Sequence, residues 1–186
     1  YTREAKAMAL YRNFFADRED IGAPEPMPEL STGRLLSMEW LDGRGLFAFK
    51  ESDLETRNRI ARLLFEAWWT PFTQLGGIHG DPHLGNYTFT GEAERLNVLD
   101  FGCIRIFPPS FVGGVVELFG ALSSGDKAAQ RRAYETWGFK GLTDDLIETL
   151  NVWAGFIYGP LLDDRVRTVA DGVAPGDYGR REAFQV

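Results

Sequence analysis

Ile78-His79-Gly80-Asp81-Pro82-His83-Leu84-Gly85-Asn86 gathers both histidines of the 186-residue chain into one run, and Asp100-Phe101-Gly102 follows fourteen residues after Asn86. Between them, the apolar pieces Tyr87 to Thr90 and Leu96 to Leu99 flank Gly91-Glu92, which predicts a small hairpin. Upstream, Ser52-Asp53-Leu54-Glu55 reads as a capping box, the Ser hydroxyl and the Glu carboxylate satisfying each other's orphan backbone donors. The helix it opens puts Ile60, Leu63, Leu64, Ala67, Trp68, Phe72 and Leu75 on one core-facing stripe and stops at Gly76-Gly77. Farther back, Arg34 to Leu41 is short, mostly apolar and closed by Asp42-Gly43, which predicts a buried strand ending in a turn. Pro24, Pro26 and Pro28 make Ile21 to Pro28 an extended connector, and Tyr1 to Asp17 carries apolar residues at helical period. Beyond Pro108-Pro109, Ser110 to Ser123, Asp126 to Trp137 and Thr143 to Tyr158 read as helices, and the tail from Asp163 has no predicted element.

Composition narrows the function classes. Apolar residues make up 44% and charged residues 25%, the balance of a globular fold. Twenty Lys and Arg against 27 Asp and Glu give a net charge of −7 with the cations scattered, which argues against a nucleic-acid partner. One cysteine excludes an intrachain disulfide and points to a reducing, cytoplasmic compartment. No apolar run approaches the ~20 residues that cross a bilayer; the nearest, Val152 to Leu162, is interrupted by Gly155, Gly159 and Pro160. The chain begins at Tyr1 already inside a helical pattern, and so reads as a fragment.

The interval from Asp81 to Asn86 is that of the kinase catalytic loop H-R-D-x-x-x-x-N, and D-F-G is the companion signature. Transfer of a γ-phosphoryl group needs Mg²⁺ on the phosphates, and Mg²⁺ prefers hard oxygen ligands. Asp100 would give a carboxylate, Asn86 an amide oxygen, and Asp81 would orient or deprotonate the acceptor. Gly102 would let the chain turn after the metal ligand, and His79 would brace the loop through hydrogen bonds. Each motif alone has an ordinary explanation, a loop of turn formers or a chance D-F-G. Together, in order, with a long helix before and a hairpin between, they favour the phosphoryl-transfer reading. Zinc at His79 and His83 is disfavoured, because the two stand in a Gly/Pro loop with no cysteine beside them. Cys103 reads as a buried structural thiol. Gly43 to Ala48 fits G-x-G-x-x-A, but no helix opens there, so it reads as a linker turn.

On these residues the chain resembles the UbiB/ADCK (AarF-type) atypical kinase family, linked to ubiquinone biosynthesis. Tyr1-Thr2-Arg3-Glu4-Ala5 resembles the family's helix C segment, and Glu29 to Arg34 with Leu35 to Gly43 its strand-and-hinge stretch. Gly80 to Asn86 and Leu99 to Gly102 match its catalytic and metal loops. The likeness covers roughly the first 140 residues. It implies an α+β, protein-kinase-like fold, with residues 1–42 a partial N-lobe and 43–186 a mostly helical C-lobe. It also implies ATP and Mg²⁺ as cofactors. Glu4 would be the helix C glutamate, with Asp81 and His79 in the catalytic loop. The Glu39-Trp40-Leu41 backbone would be the hinge to adenine with Met38 as gatekeeper, and Asn86 and Asp100 the metal ligands. Bland readings stay open: Glu4 as a solvated helix charge, Met38 and Trp40 as core packing. The phosphate-binding lysine and loop do not occur in this sequence, so the fragment alone is expected to bind nucleotide poorly.

Three functions compete. The resemblance favours a UbiB-type kinase or ATPase acting with a prenyl-quinone lipid and other ubiquinone-biosynthesis proteins, with peripheral contact at an inner membrane. A small-molecule phosphotransferase of the aminoglycoside or choline kinase type also uses an H-G-D-x-x-x-x-N loop, and an acidic surface would suit its cationic acceptor. A pseudokinase scaffold that binds nucleotide or lipid without turnover is the third.

Overall fold

The computed structural model describes residues 1–166 of the chain. The fold is α+β and divides into two compact units, Tyr1–Pro108 and the chain from Pro109 onward. In the first unit, helix α1 (Thr2–Phe14) buries Met8 and Tyr11, one helical turn apart. Helix α2 (Leu54–Leu75) buries Ile60, Leu63, Ala67 and Phe72 along the expected stripe and ends at Gly76, whose φ of +70° is a left-handed conformation suited to glycine.

Six short strands frame the rest. Strands β1 (Ile21–Gly22), β2 (Arg44–Gly45), β4 (Tyr87–Thr90) and β5 (Arg95–Val98) form one sheet in the order β1-β5-β4-β2. The hairpin β4–β5 is its centre, with Tyr87 opposite Val98, and β1 joins β5 in parallel. Separately, β3 (Gly77–His79) pairs antiparallel with β6 (Ile104–Ile106). Met8, Tyr11, Phe15, Leu63, Phe89, Leu96 and Phe101 pack into one core between these elements. Each such large side chain contributes about 1.5–3 kcal/mol on burial. Arg18 closes the bottom of α1 onto α2, donating to Asp20 Oδ1 (2.6 Å) and Glu66 Oε2 (2.5 Å).

The second unit holds the three predicted helices, α3 (Pro109–Ser124), α4 (Lys127–Thr136) and α5 (Asp144–Leu162). Asp126 and Thr143 cap α4 and α5 by accepting bonds from backbone N–H groups of their first turns. Leu118, Ala133, Tyr134, Ile147 and Tyr158 form its core, within which Tyr134 donates to Asn151 and Asn151 to Gln130.

Three expectations need correction. Arg34 to Leu41 is not a buried strand: it pairs only at the single bridges Thr32–Leu35 and Pro26–Met38, and Leu35 is 55% and Trp40 85% exposed. The facing segment carries Pro24, Pro26 and Pro28, which lack the N–H groups a longer ladder needs. The cap of α2 is Asp53, accepting from Thr56 N–H (2.7 Å), while Glu55 pairs with Arg59 one turn on. Cys103 is exposed, because it sits in the turn before β6 and only its backbone carbonyl is used. The unassigned tail from Asp163 lies outside the described residues from 167 on.

Candidate active site

Two loops meet where β3 ends and β6 begins. The His79 ring, 3% exposed, stands opposite Ile104 in the β3–β6 ladder. Its Nδ1 accepts from the Asp81 N–H (3.3 Å), so the proton sits on Nε2, which donates to the Asp100 carbonyl oxygen at 2.6 Å. One side chain therefore ties the Asp81 loop to the Asp-Phe-Gly turn. A second tie is backbone, from Gly80 N–H to the Cys103 carbonyl (3.1 Å). A Cβ on Gly80 would stand 2.7 Å from that carbonyl, so the position needs glycine for close approach. Phe101 is buried beside His79 and against the edge of Tyr11 of α1, with centroids 5.5 Å apart in the latter pair.

Within the first loop, Asn86 Nδ2 donates to Asp81 Oδ2 (3.0 Å) and to the Asp81 carbonyl (3.2 Å), while the His83 N–H donates to Asp81 Oδ1 (3.2 Å). The amide nitrogen of Asn86 is thus turned to the carboxylate, leaving its Oδ1 without a donor among the described residues. Asp100 uses Oδ1 to accept from Gly102 N–H (2.8 Å), and its other oxygen is likewise free. The backbone holds the two ligand candidates near one another, since the Asn86 carbonyl accepts from the Leu99 N–H at 2.9 Å. Asp81, Asn86 and Asp100 are all half-buried, reachable from solvent yet fixed. Burial, and behind it the Asp81 charge, pushes the nearby Tyr87 phenol up, so it stays protonated.

This donor set fits Mg²⁺. It offers one carboxylate and one amide oxygen, with the remaining positions to be filled by phosphate and water, the arrangement this ion favours. Among the described residues no group of three or more His, Cys, Asp or Glu side chains is placed to hold a metal ion by itself.

The remaining sequence candidates share no hydrogen bond or ion pair with these loops among the described residues. Glu39 is held at both its ends: its carboxylate accepts from Arg12 (3.1 Å) and from the Glu25 N–H (3.1 Å), and its own N–H goes to the Glu25 carbonyl (2.8 Å). Trp40 and Leu41 make no backbone hydrogen bond among the described residues. Met38 is exposed and bridges Pro26. Glu4 is half-buried on α1 and forms no ion pair among the described residues. Sequence reasoning passed over Arg12 and Asn97, and it read Tyr11 only as an apolar residue of the first helix. Asn97 left a signal: an amide inside the apolar run Leu96 to Leu99 has to find partners.

Residues 1–133 match the profile of the ABC1 atypical kinase-like domain. The mitochondrial atypical kinase COQ8B of Danio rerio is 31% identical over 128 residues, 69% of this chain and 20% of the relative. The mitochondrial atypical kinase coq-8 of Caenorhabditis elegans is 31% identical over 168 residues, 87% of this chain and 22% of the relative. The chain thus spans about a fifth of the length of these relatives. Among solved structures, Rv3197 of Mycobacterium tuberculosis, described in complex with erythromycin, superposes with a TM-score of 0.63 at 19% identity, over 99% of this chain and 51% of that one. That likeness supports the kinase-like fold.

Proposed function

Because the chain belongs to the ABC1 atypical kinase-like family, we propose that its two loops form the metal-phosphate half of an active site of the UbiB type. That site would use MgATP for phosphoryl transfer or hydrolysis in support of prenyl-quinone (ubiquinone) biosynthesis. The observation that carries this is the paired free oxygens, Asn86 Oδ1 and the second Asp100 oxygen, held on two loops that His79 locks together.

Asn86 and Asp100 would hold Mg²⁺, which when bound neutralises charge on the phosphate oxygens. Asp81 keeps both carboxylate oxygens partly engaged, by His83 N–H and Asn86 Nδ2, so its direction is set before an acceptor arrives. It would orient the acceptor hydroxyl, or a water, and take its proton. The backbone of Trp40 and Leu41, unpaired among the described residues, would be available for the edge of an adenine. Glu4 would pair with the lysine that contacts the phosphates. Its partners would be nucleotide, a prenyl-quinone lipid and other biosynthetic proteins at a membrane surface. Among the described residues no helix is long and apolar enough to cross a membrane.

The match over residues 1–133 supports this reading over a phosphotransferase of the aminoglycoside or choline type. The test is Asp100→Asn in the full-length protein. MgATP turnover should fall by at least about a hundredfold, and quinone production with it. Quinone production that survives the loss of turnover would instead mean a scaffold.

A further inference from the structure

The segment assigned above to the nucleotide base is anchored at its start by Arg12 and Glu25 on Glu39. Beyond its far end the chain enters β2, which pairs with β4, and at that end one side chain of the hairpin reaches it: Asn97 Nδ2 donates to the Asp42 carbonyl at 3.1 Å. Asn97 is 2% exposed, on β5, and the same nitrogen lies 3.3 Å from Thr88 Oγ1 and 3.4 Å from Thr90 Oγ1. Its strand neighbours Leu96 and Val98 are apolar and buried. A buried amide is costly unless bonded, and packing alone would be served by another aliphatic residue. The crossing is tight here as well: a Cβ on Gly43 would come within 2.6 Å of Thr88 Oγ1. The hairpin that Asn97 belongs to has Asn86 immediately before one end and Asp100 just beyond the other.

We propose that Asn97 is a positioning residue that sets the span between the base-contact segment, residues 39–41, and the metal pair Asn86 and Asp100. This rests on the reading of those two places given above. The hairpin acts as the ruler, and the bond to Asp42 fixes the segment against it. Loss of that bond leaves the metal pair intact, because none of the hydrogen bonds of Asn86 or Asp100 passes through the Asn97 side chain.

The experiment uses the full-length protein with two probes, MgATP and magnesium tripolyphosphate, which carries the phosphates but no base. In Asn97→Ala the dissociation constant and KM for MgATP should rise about tenfold, the loss of one buried hydrogen bond. The kcat and the tripolyphosphate affinity should stay within about twofold. Asn97→Asp keeps the side-chain shape but turns an acceptor toward the Asp42 carbonyl; it should show the same split and serves if the alanine variant fails to fold. Equal losses for both probes, or no loss for either, would overturn the proposal while leaving the site reading standing. A wild-type protein that binds neither probe would overturn both.

Discussion

Between His79 and Gly102 the polar groups are knitted to one another: the His79 ring spans the two loops, Asn86 grips Asp81, and Gly102 folds back on Asp100. Between Pro24 and Asp42 the chain folds on itself through Ser31, which donates to the Met27 carbonyl and accepts from the Ser37 N–H, and it is tied to the rest of the unit by Arg12 on Glu25 and Glu39 and by Asn97 on Asp42, with Trp40 standing out in solvent. Both regions belong to the same compact unit. The first carries its geometry within its own side chains. The second combines internal bonds at Ser31 and Ser37 with ties to α1 and the hairpin, and leaves the Trp40 and Leu41 backbone unpaired among the described residues. On the proposed reading, the acid and metal positions would be set in advance by these internal bonds.

The sharpest way to break the contrast is to cut the brace. His79→Ala removes two hydrogen bonds and a buried ring, and should cost about 2–3 kcal/mol in chemical denaturation together with most of the turnover. A change under about 0.5 kcal/mol would mean the two loops hold without it.

How much of this was legible beforehand differs between the same two regions. The loop pair could be read from Asp81, Asn86 and Asp100 because spacing along the chain is what the chemistry requires. The hairpin and the five α-helices could be read too, since their apolar periods match their burial. Arg34 to Leu41 misled, because an apolar run says nothing about whether anything covers it, and three prolines on the facing segment deny it a ladder. Arg12 and Asn97, and the partner of Tyr11, were missed for a related reason. Their partners lie far along the chain, Glu39 for Arg12, Phe101 for Tyr11 and Asp42 for Asn97, and only folding brings them together.

A smaller effect tests the frame under the knitted region. Hydrogen bonding to Arg18 holds the Asp20 carboxyl below its usual range. Burial pushes Glu66 up, but hydrogen bonds from Arg18 and Arg62 more than offset it and hold it low as well. Carboxyls lowered in the folded state stabilise it above their ordinary range, and that contribution is lost as pH falls through the lowered values. Denaturation midpoints should therefore drop between about pH 5 and about pH 3. In Arg18→Ala that slope should flatten, by less than about 1 kcal/mol because the pairs are partly exposed. An unchanged slope would remove the cluster from the account.

The smallest change in stability is expected in the open region. Trp40→Ala should shift stability by less than about 0.5 kcal/mol, since its ring is in water and its one bond is to Asp42. If the melting temperature falls by several degrees instead, the segment is packed and the contrast fails.

The central claim is that Asn86 and Asp100 offer free oxygens to a metal-bound phosphate. Calorimetric titration of the full-length protein with ATP, with Mg²⁺ and then with excess chelator, tests it most directly, alongside Asn86→Ala. Binding that requires Mg²⁺ and weakens at least about tenfold in Asn86→Ala is the predicted result. Binding of equal strength with chelator, or unaltered in the variant, would contradict it.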